Sequence, residues 1–312
     1  MKKAMSGFDL RAMARELDAL KGAYIKKAYM PHYEQIVLRV NPKEAEQRDI
    51  VFVRGERVYT SQRDRPMPMT PPPFAMVLRK HLRNARLTGV EQVGFDRVLA
   101  FRFDTKNGQR TLYVEVFRDG NIILVDEEGV IVQPLTHASY AGRTLKKGVS
   151  YTPPPAATDP YALDEASLGE LLVASDRDLV STLGGKVNLG ATHANAVCAL
   201  AAHEPNSPTE QADGKAVFDA LQTLLRRLED SEEGHLILRL EADDPEHWLQ
   251  TCASMDQNQR QAWLSQRAIE ATPILLPQHA DVPRVSFDSL CETIDVWKGC
   301  LLYTSPSPRD IG

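Results

Sequence analysis

A proline-rich segment near the middle of this chain separates two parts with different hydrophobic patterns. Residues 152–160 read Thr-Pro-Pro-Pro-Ala-Ala-Thr-Asp-Pro. Because proline fixes φ and has no amide hydrogen to donate, this segment is typical of a stiff linker and interrupts any helix or central strand. Strand patterns dominate before it and helical patterns follow it. The sequence therefore predicts an α+β protein, with a β-rich domain over residues 1–151, a linker over 152–160 and a helical module over 161–229.

Two helices are predicted in the first part. Ser6 is a good N-cap, Asp9 follows three positions later as in a capping box, and an apolar stripe runs through Leu10–Leu20. A second helix is predicted over Phe74–Asn84, after a proline-rich extended stretch. Both patterns indicate amphipathic helices that pack one face on a sheet.

Most of the other segments in the first part alternate apolar and polar residues in short runs. Leu99, Phe101 and Phe103 occupy alternate positions, and similar runs are separated by tight turns. Such a pattern predicts antiparallel strands within residues 23–60 and a β-meander over residues 98–132.

Beyond the linker, glycines bound a short segment between two helical patterns. The segment is Gly184–Gly190, and helices are predicted over Arg177–Leu183 and Ala191–His203. Two helices around such a hairpin are typical of a helix-hairpin-helix module, whose backbone amides hold phosphate groups. An ordinary turn in a helical bundle fits the pattern equally well.

The patterns weaken after residue 229. A strand is predicted over Leu236–Leu240, a helix over Trp263–Ile269 and an amphipathic helix over Ser286–Trp297. No element is predicted around Trp248.

Charge is unevenly distributed along the chain. Residues 1–150 contain 26 Lys and Arg against 17 Asp and Glu, whereas residues 151–312 contain 11 against 25. The first half therefore carries a net charge of +9 and the second half −14, within a total of −5. This asymmetry is compatible with a polyanion contact at one end of the molecule, although charge alone favours the following alternative. A dipolar protein without a nucleic-acid partner is the alternative.

Several classes of protein are disfavoured by the composition. No apolar run approaches the length of about 18 residues that a membrane span requires. The first residues, Met-Lys-Lys-Ala-Met-Ser, precede no apolar stretch, so we expect no secretory signal and a cytoplasmic protein without a membrane partner. The four cysteines show no metal-ligand spacing. We therefore expect no metal and no cofactor.

The last residues differ in character from the rest. Residues 300–310 read Cys-Leu-Leu-Tyr-Thr-Ser-Pro-Ser-Pro-Arg-Asp, which resembles a translated adapter used to build sequencing libraries. Its prolines interrupt the preceding helical pattern. We expect residues 300–312 to be such an artefact and the chain to be a fragment of a longer protein. A natural disordered terminus is the alternative.

Four sequence blocks stand out together, in this order along the chain: Ser6–Arg11, Phe74–Leu82, Gln92–Arg97 and Val114–Asp126. In order and spacing they resemble the N-terminal domain of the NFACT family, ribosome-associated quality-control factors of the RqcH and NEMF type that also carry the name fibronectin-binding protein. Among them, the archaeal members are the most similar in character. The resemblance implies a β-rich domain like the N-terminal domain of formamidopyrimidine-DNA glycosylases, followed by a helix-hairpin-helix module.

The resemblance does not extend equally along the chain. It covers residues 1–229 well and 270–297 weakly. Residues 230–269 are interpreted as a lineage-specific stretch, and the last helix, within 230–299, as the start of a truncated coiled-coil region.

The resemblance also implies a function. Members bind the large ribosomal subunit carrying stalled peptidyl-tRNA and recruit tRNA, typically alanyl-tRNA, for addition of a C-terminal tail without mRNA. Residues at the positions of Asp9, Asp96 and Arg97 contact tRNA in the family. From the residues alone, Asp9 is a helix cap, and Asp96 with Arg97 is a turn aspartate beside a surface arginine. In the helix-hairpin-helix segment, Lys186, Asn188 and Gly190 are the candidate contacts.

A basic face is predicted on the second helix. Arg79, Arg83 and Arg86 follow a spacing of four and three residues and so share one side of a helix, next to Lys80. Like charges on one face destabilise a helix unless an anion meets them. The pattern therefore favours contact with phosphates over a merely solvated surface.

No catalytic motif is present. The chain contains no glycine-rich phosphate loop, no GxSxG and no HExxH sequence. The glycosylases use an N-terminal proline amine followed by a glutamate, whereas this chain begins Met-Lys-Lys. We expect a binding protein and not an enzyme. The alternatives are a non-catalytic DNA-binding module and a surface adhesin, and the missing export signal argues against the adhesin.

Overall fold

The structure is a computed structural model that describes residues 2–43 and 45–299. Its largest element is a nine-stranded antiparallel sheet formed by residues before the linker. The strands are β1 (Tyr24–His32), β2 (Gln35–Asn41), β3 (Arg48–Val53), β4 (Arg57–Ser61), β5 (Arg86–Gln92), β6 (Val98–Thr105), β7 (Gly108–Glu115), β8 (Ile122–Val125) and β9 (Ile131–Pro134). Their spatial order is β4-β3-β2-β1-β5-β6-β7-β8-β9, so two meanders meet between β1 and β5. A hairpin of β10 (Ala138–Tyr140) and β11 (Arg143–Leu145) follows.

The sheet curls strongly, which places the main core between its two halves. Strands β3 and β6 are four positions apart, a distance of about 19 Å in a flat sheet. The ring centroids of Phe52 on β3 and Phe101 on β6 nevertheless lie 5.1 Å apart. Within the described sheet, β1 and β5 share a single register pair, Tyr24 with Arg86. The outer edge of β1 beyond Ile25 therefore lies next to no strand.

Two helices pack against this sheet, close to where the sequence predicts them. Helix α1 (Gly7–Asp18) begins with the predicted capping box: the Ser6 side chain accepts from the Asp9 amide at 3.2 Å, and the Asp9 carboxylate accepts from the Ser6 amide at 2.6 Å. Helix α2 (Pro73–Leu82) follows Pro72 and packs on β1, β6 and β9. The prediction of both helices is confirmed.

Helix α2 is shorter than predicted, which changes its predicted basic face. The helix was expected to reach Asn84, but Asn84 has φ of 58° and its amide donates to the Ile25 carbonyl of β1 at 2.9 Å. The helix ends at Leu82 because Arg83 is already extended, with ψ of 126°, and the left-handed Asn84 follows it. Arg83 therefore caps the helix, and Arg86 is the first residue of β5, where it lies 3.6 Å from the Asp104 carboxylate. The prediction that Arg86 shares a helical face with Arg79 is wrong.

Helices dominate after the linker. They are α3 (Glu165–Val173), α4 (Leu179–Gly185), α5 (Gly190–Leu200) and α6 (Gly214–Glu229). Helices α4 and α5 pack on each other around the predicted hairpin, in which Asn188 has φ of 64° and Gly190 φ of 70°. Helix α6 also contacts α1, since Glu229 accepts from Arg11 at 2.9 Å and from Arg15 at 3.1 Å. The α+β class is confirmed, while the exact domain borders stay a prediction because the helices and the sheet share one hydrophobic core.

Residues 230–299 form a further α/β unit, which the sequence predicts only in part. Its elements are β12 (Gly234–Leu238), α7 (Trp248–Ser254), α8 (Gln257–Arg267), β13 (Ala268–Thr272), β14 (Arg284–Phe287) and α9 (Leu290–Lys298). Strand β12 lies between β13 and β14 in an antiparallel sheet. The predicted helix through Ile269 is wrong in its last two residues, because they belong to β13, which pairs with β12.

The last described helix does not have the surface of a coiled coil. Leu290, Ile294 and Trp297 of α9 are buried, and the helix packs on β4, β12 and α1. Within the described residues α9 is thus a short helix that closes the core, and the start of a coiled-coil region stays a prediction. The expectation for residues 300–312 lies outside the described residues.

Membrane-spanning helices and metal-ligand clusters are both absent from the described part of the chain. In residues 2–43 and 45–299, no helix combines the length and apolarity needed to cross a bilayer. The same residues contain no group of three or more His, Cys, Asp or Glu side chains placed to hold a metal ion.

Candidate nucleic-acid interface

The two aspartate-containing motifs of the sequence form one surface. Gln92 is buried at the end of β5, and its side-chain amide donates to the Gly7 carbonyl at 3.0 Å and to the Asp96 carbonyl at 2.9 Å. The rings of Phe8 and Phe95 meet edge to face at 5.2 Å. A Cβ on Gly7 would lie 3.1 Å from the Phe95 carbonyl oxygen, so glycine permits this close approach. The start of α1 is therefore held directly against the β5–β6 turn.

Within that turn, Asp96 and Arg97 face different surroundings. Gly94, with φ of 60°, shapes the turn, and the Asp96 amide donates to the Val93 carbonyl at 3.2 Å. The Asp96 carboxylate is half-buried against the linker and accepts from the Ala157 amide at 3.4 Å. Burial, followed by the nearby Asp159, raises the pKa of Asp96, although the Ala157 amide and Arg97 oppose this shift. The Arg97 side chain is exposed.

The hairpin between α4 and α5 contacts the same turn through one side chain. The amide nitrogen of Asn188 donates to the Phe95 carbonyl at 3.3 Å and to the Thr158 carbonyl at 3.2 Å. Asn188 has positive φ, a conformation that asparagine tolerates better than most residues. The β5–β6 turn, the linker and the hairpin therefore meet at this side chain.

Asn188→Asp is expected to lower the free energy of unfolding by roughly 1–3 kcal/mol. The substitution keeps the size of the side chain and its tolerance of positive φ, but it replaces the donor to two carbonyls with an acceptor. Asn107→Asp makes the same chemical change in an exposed turn where the side chain has no partner among the described residues, and serves as the control. Equal losses in chemical denaturation would contradict the bridging role.

A cleft of about 420 Å³ opens beside this junction, where all three parts of the chain meet. We call it the Arg97 cleft. The cleft is lined by Lys2, Ala4, Met5, Ser6, Arg97, Leu189, Gly190, Ala191, Thr192, His193, Arg239, Ile269 and Glu270. The first turn of α5 faces it, and the Leu189 N-cap provides no side-chain cap for the amides of that turn. Free amides and the helix dipole favour a negatively charged group at this position.

Not all charges in the cleft are available to a ligand. The Lys2 ammonium lies 2.7 Å from the Asp9 carboxylate and 3.3 Å from that of Glu270. Burial acts to lower the pKa of Lys2, but these two carboxylates raise it. For Glu270, burial is opposed by a hydrogen bond from His279 and by Lys2, and the pKa falls to about 2. Lys2 is therefore engaged by the two carboxylates, and these three groups together carry a charge of −1.

Arg97 and Arg239 are the uncompensated cations of the cleft. Both side chains are exposed, and neither has a hydrogen bond or an ion pair within the described residues. They come from different parts of the chain, since Arg97 belongs to the β5–β6 turn and Arg239 directly follows β12. Two guanidinium groups near a helix N-terminus make an arrangement that suits phosphate.

His193 forms part of the cleft wall as an uncharged ring. Its ring is buried and stacks on Phe8 with centroids 3.8 Å apart and planes within 7°. Burial, followed by the charge of Lys2, lowers the pKa of His193 to about 4. The imidazole is therefore neutral at neutral pH.

The structure separates the predicted site residues into two groups. Arg97 and Gly190 line the Arg97 cleft, and Asn188 and Asp96 lie at its edge. Asp9 is only 1% exposed, so a tRNA contact through its carboxylate requires the Lys2 ion pair to open.

Lys186 points elsewhere, donating to the Ala174 carbonyl at 3.3 Å. Arg239 was missed in the sequence because its position depends on packing between distant segments, and Lys2 was considered only in the search for a secretory signal and an N-terminal proline.

Comparisons with known proteins agree on one family. A family model described as NFACT N-terminal and middle domains matches residues 6–296, which includes the segment interpreted above as lineage-specific. The archaeal Rqc2 homolog aRqcH of Methanocaldococcus jannaschii is 29% identical over 251 residues, covering 77% of this chain and 37% of that protein. The human ribosome quality control complex subunit NEMF is 31% identical over 178 residues, covering 57% of this chain and 16% of the human protein. The chain thus spans well under half the length of either relative.

Solved structures show the same fold. The N-terminal part of the fibronectin/fibrinogen-binding protein from Streptococcus suis superposes with a TM-score of 0.69 at 22% identity, over 95% of this chain and 99% of that one. The fibrinogen binding protein from Staphylococcus aureus gives a TM-score of 0.67 at 18% identity, over 93% and 97% of the two chains. At these identities the likeness concerns the fold alone. The family match over residues 6–296 goes further and shows that this chain belongs to the NFACT family, whose relatives include the Rqc2, RqcH and NEMF quality-control proteins.

Proposed function

We propose that this chain binds tRNA in the Arg97 cleft, as part of a ribosome-associated quality-control factor. The observation that carries the proposal is the pair of unpaired guanidinium groups, Arg97 and Arg239, facing the uncapped first turn of α5. A phosphodiester is the ligand chemistry that satisfies both features at once. Membership of the NFACT family supports RNA as the source of that phosphodiester.

The neighbouring groups supply further recognition. Arg97 can bind a phosphate through two nitrogens or stack on a base. The half-buried Asp96 carboxylate lies one residue away and can accept a hydrogen bond from a ribose hydroxyl or a base amine. Because the turn is held by Gln92 and Asn188, these groups need little reorganisation when RNA binds.

For the whole protein, the proposal extends to its partners. The whole protein binds the large ribosomal subunit carrying stalled peptidyl-tRNA. It recruits tRNA, with alanyl-tRNA as the expected species, so that a C-terminal tail is added to the stalled chain without mRNA. Peptidyl transfer itself belongs to the ribosome, and this chain acts by binding. The names of the archaeal and human relatives support a role in quality control. The proposed location is the cytoplasm.

The alternative is a non-catalytic DNA-binding module. The basic first half and the helix-hairpin-helix segment are compatible with duplex DNA as well as with tRNA. The two functions differ in their ligand and are therefore separable by direct binding.

Equilibrium binding of the purified chain to tRNA and to a DNA duplex of equal nucleotide number tests the proposal. Fluorescence anisotropy at about 0.15 M salt is expected to show tRNA bound at least roughly tenfold more tightly than the duplex, a difference of about 1.4 kcal/mol. A salt series for both ligands separates specific contacts from general charge attraction. Equal or tighter binding of the duplex would replace the tRNA proposal with the DNA-binding alternative.

A further inference from the structure

A second basic surface lies between β1 and α2, outside the Arg97 cleft. A groove of about 510 Å³ is formed here, and we call it the β1–α2 groove. It is lined by Ile25, Lys26, Lys27, Ala28, Met76, Leu78, Arg79, Lys80 and Arg83. More than half of these side chains are cationic, and no aspartate or glutamate is among the described lining residues. The remaining lining residues are apolar, so the groove offers no amide or hydroxyl side chain.

Strand pairing explains why the groove exists. Beyond Ile25 the outer edge of β1 has no neighbouring strand in the described sheet, and α2 lies along that edge instead. The Arg79 guanidinium donates to the free Ala28 carbonyl at 2.7 Å, which fixes α2 against the strand. A register shift between Ile25 and Lys27 marks a bulge, and both Lys26 and Lys27 are exposed there.

Two of the cations are held in place by an aromatic ring. The Lys27 ammonium and the Arg79 guanidinium each lie 5.4 Å from the centroid of Tyr29. Lys26 is hydrogen-bonded to the neutral side chain of Gln47 at 2.9 Å. These contacts order the cations without neutralising them.

The remaining two cations, Lys80 and Arg83, have no side-chain hydrogen bond or ion pair in the described residues and are exposed. Cations at the end of a helix also stabilise its dipole, which is a purely structural role for Lys80. That role does not account for Lys26 and Lys27, which belong to a strand. Burial and then three surrounding cations, among them Lys80, lower the pKa of the neighbouring His81, consistent with a positive local field.

The groove and the Arg97 cleft lie at opposite ends of β5. Arg83 precedes the first residue of that strand and the Asp96–Arg97 turn follows its last residue. Seven residues in a strand span about 20 Å. Contacts in the groove are therefore distinct from contacts in the cleft.

We propose that the β1–α2 groove binds the phosphodiester backbone of double-helical ribosomal RNA on the large subunit, without reading its sequence. The inference rests on the proposed function, which brings the chain to the ribosome, and it adds the surface that makes a second RNA contact. Cations without amide or hydroxyl neighbours suit phosphates and not base edges. The groove and the cleft lie about 20 Å apart at opposite ends of β5, so two different RNA segments can contact them at the same time.

Two matched double variants test the proposal. Lys80→Glu with Arg83→Glu reverses two exposed groove charges, and Arg226→Glu with Arg227→Glu makes the same change in net charge on the exposed side of α6. Affinity is measured for large ribosomal subunits stripped of tRNA and, separately, for free tRNA, each across a salt series. Thermal melting confirms that both variants are folded.

The groove variant is expected to bind subunits roughly tenfold or more weakly than the parent, with a salt slope reduced by about two, because two phosphate contacts are lost. Its tRNA affinity should match that of the α6 variant. An equal loss of subunit affinity in both variants, or no loss in either, would overturn the proposal. A parallel loss of tRNA affinity in the groove variant alone would assign the groove to tRNA instead. If the parent binds tRNA but not subunits, the groove proposal fails while the proposed tRNA function stands.

Discussion

Replacing Asp9 with alanine is expected to lower the free energy of unfolding by about 2–4 kcal/mol, the sum of a lost helix cap and lost charge-assisted hydrogen bonds. The Asp9 carboxylate is almost completely buried, accepts from the Ser6 amide at 2.6 Å and lies 2.7 Å from the Lys2 ammonium. The substitution removes the capping box of α1 and takes one of the two carboxylates from a partly buried ammonium. The Lys2 ammonium then keeps only the Glu270 carboxylate at 3.3 Å, and the Ser6 amide loses its acceptor.

The matched control is Asp164→Ala, which removes a helix cap that has no ion pair. Asp164 accepts from the Ser167 amide at 2.8 Å at the start of α3 and is exposed. Its loss should be clearly smaller than that of Asp9. Chemical denaturation of both variants measures the difference, and equal losses would show that the Lys2 ion pair adds nothing to the cap. A tRNA-binding defect in the Asp9 variant is interpretable only where the protein is still folded.

Replacing both Arg97 and Arg239 with alanine is expected to weaken tRNA binding about 100-fold or more, and each single replacement about tenfold. Both guanidinium groups face the same cleft and have no protein partner in the described residues, so their removal leaves the protein interior intact. A double-mutant cycle shows whether they hold the same phosphate, because residues that share one partner are not additive. The salt dependence should also become shallower.

Arg226→Ala with Arg227→Ala is the control for this experiment, since it removes two exposed cations of α6 that lie outside the cleft. If the Arg239 variant binds tRNA normally and only the Arg97 variant binds it more weakly, the unit of residues 230–299 does not contribute to the tRNA site. If the Arg97 and Arg239 double variant binds tRNA as tightly as the parent, the Arg97 cleft is not the tRNA site.

Local signals in the sequence predict much of the fold. The capping box at Ser6 and Asp9 and the alternation through Leu99–Phe103 depend on residues that are neighbours in the chain, and both are confirmed. Strand β5 was missed because Thr88 and Gly89 interrupt its pattern. The last unit was predicted only in part because β12 pairs with strands that begin 30 or more residues later, and no local pattern reports such a pairing.

In the candidate site too, local motifs are recognisable from the sequence, whereas contacts between distant segments are not. The motif around Arg97 is recognisable as a sequence, whereas Arg239 becomes part of the cleft only through the packing of β12 beside the hairpin. The misplacement of Arg86 has a local cause, the extended Arg83 followed by the left-handed Asn84, a conformation that an asparagine permits but does not require. In the β1–α2 groove, Lys26 and Lys27 become neighbours of Arg83 only because α2 lies along the free edge of β1.

Site-specific photocrosslinking from the Arg97 cleft tests the central claim most directly. Thr192 lines the cleft, is exposed and carries no charge, so a photoreactive side chain at this position leaves Arg97 and Arg239 in place. The same group at Val173, which is 79% exposed on α3 and lies outside the cleft, is the control. The chain is mixed with tRNA, 5S ribosomal RNA and a DNA duplex at equal nucleotide concentration and irradiated. We expect position 192 to crosslink tRNA in preference to the other two, and position 173 to crosslink none of them selectively. Equal crosslinking of all three nucleic acids at position 192, or of tRNA from both positions, would contradict tRNA recognition by this cleft.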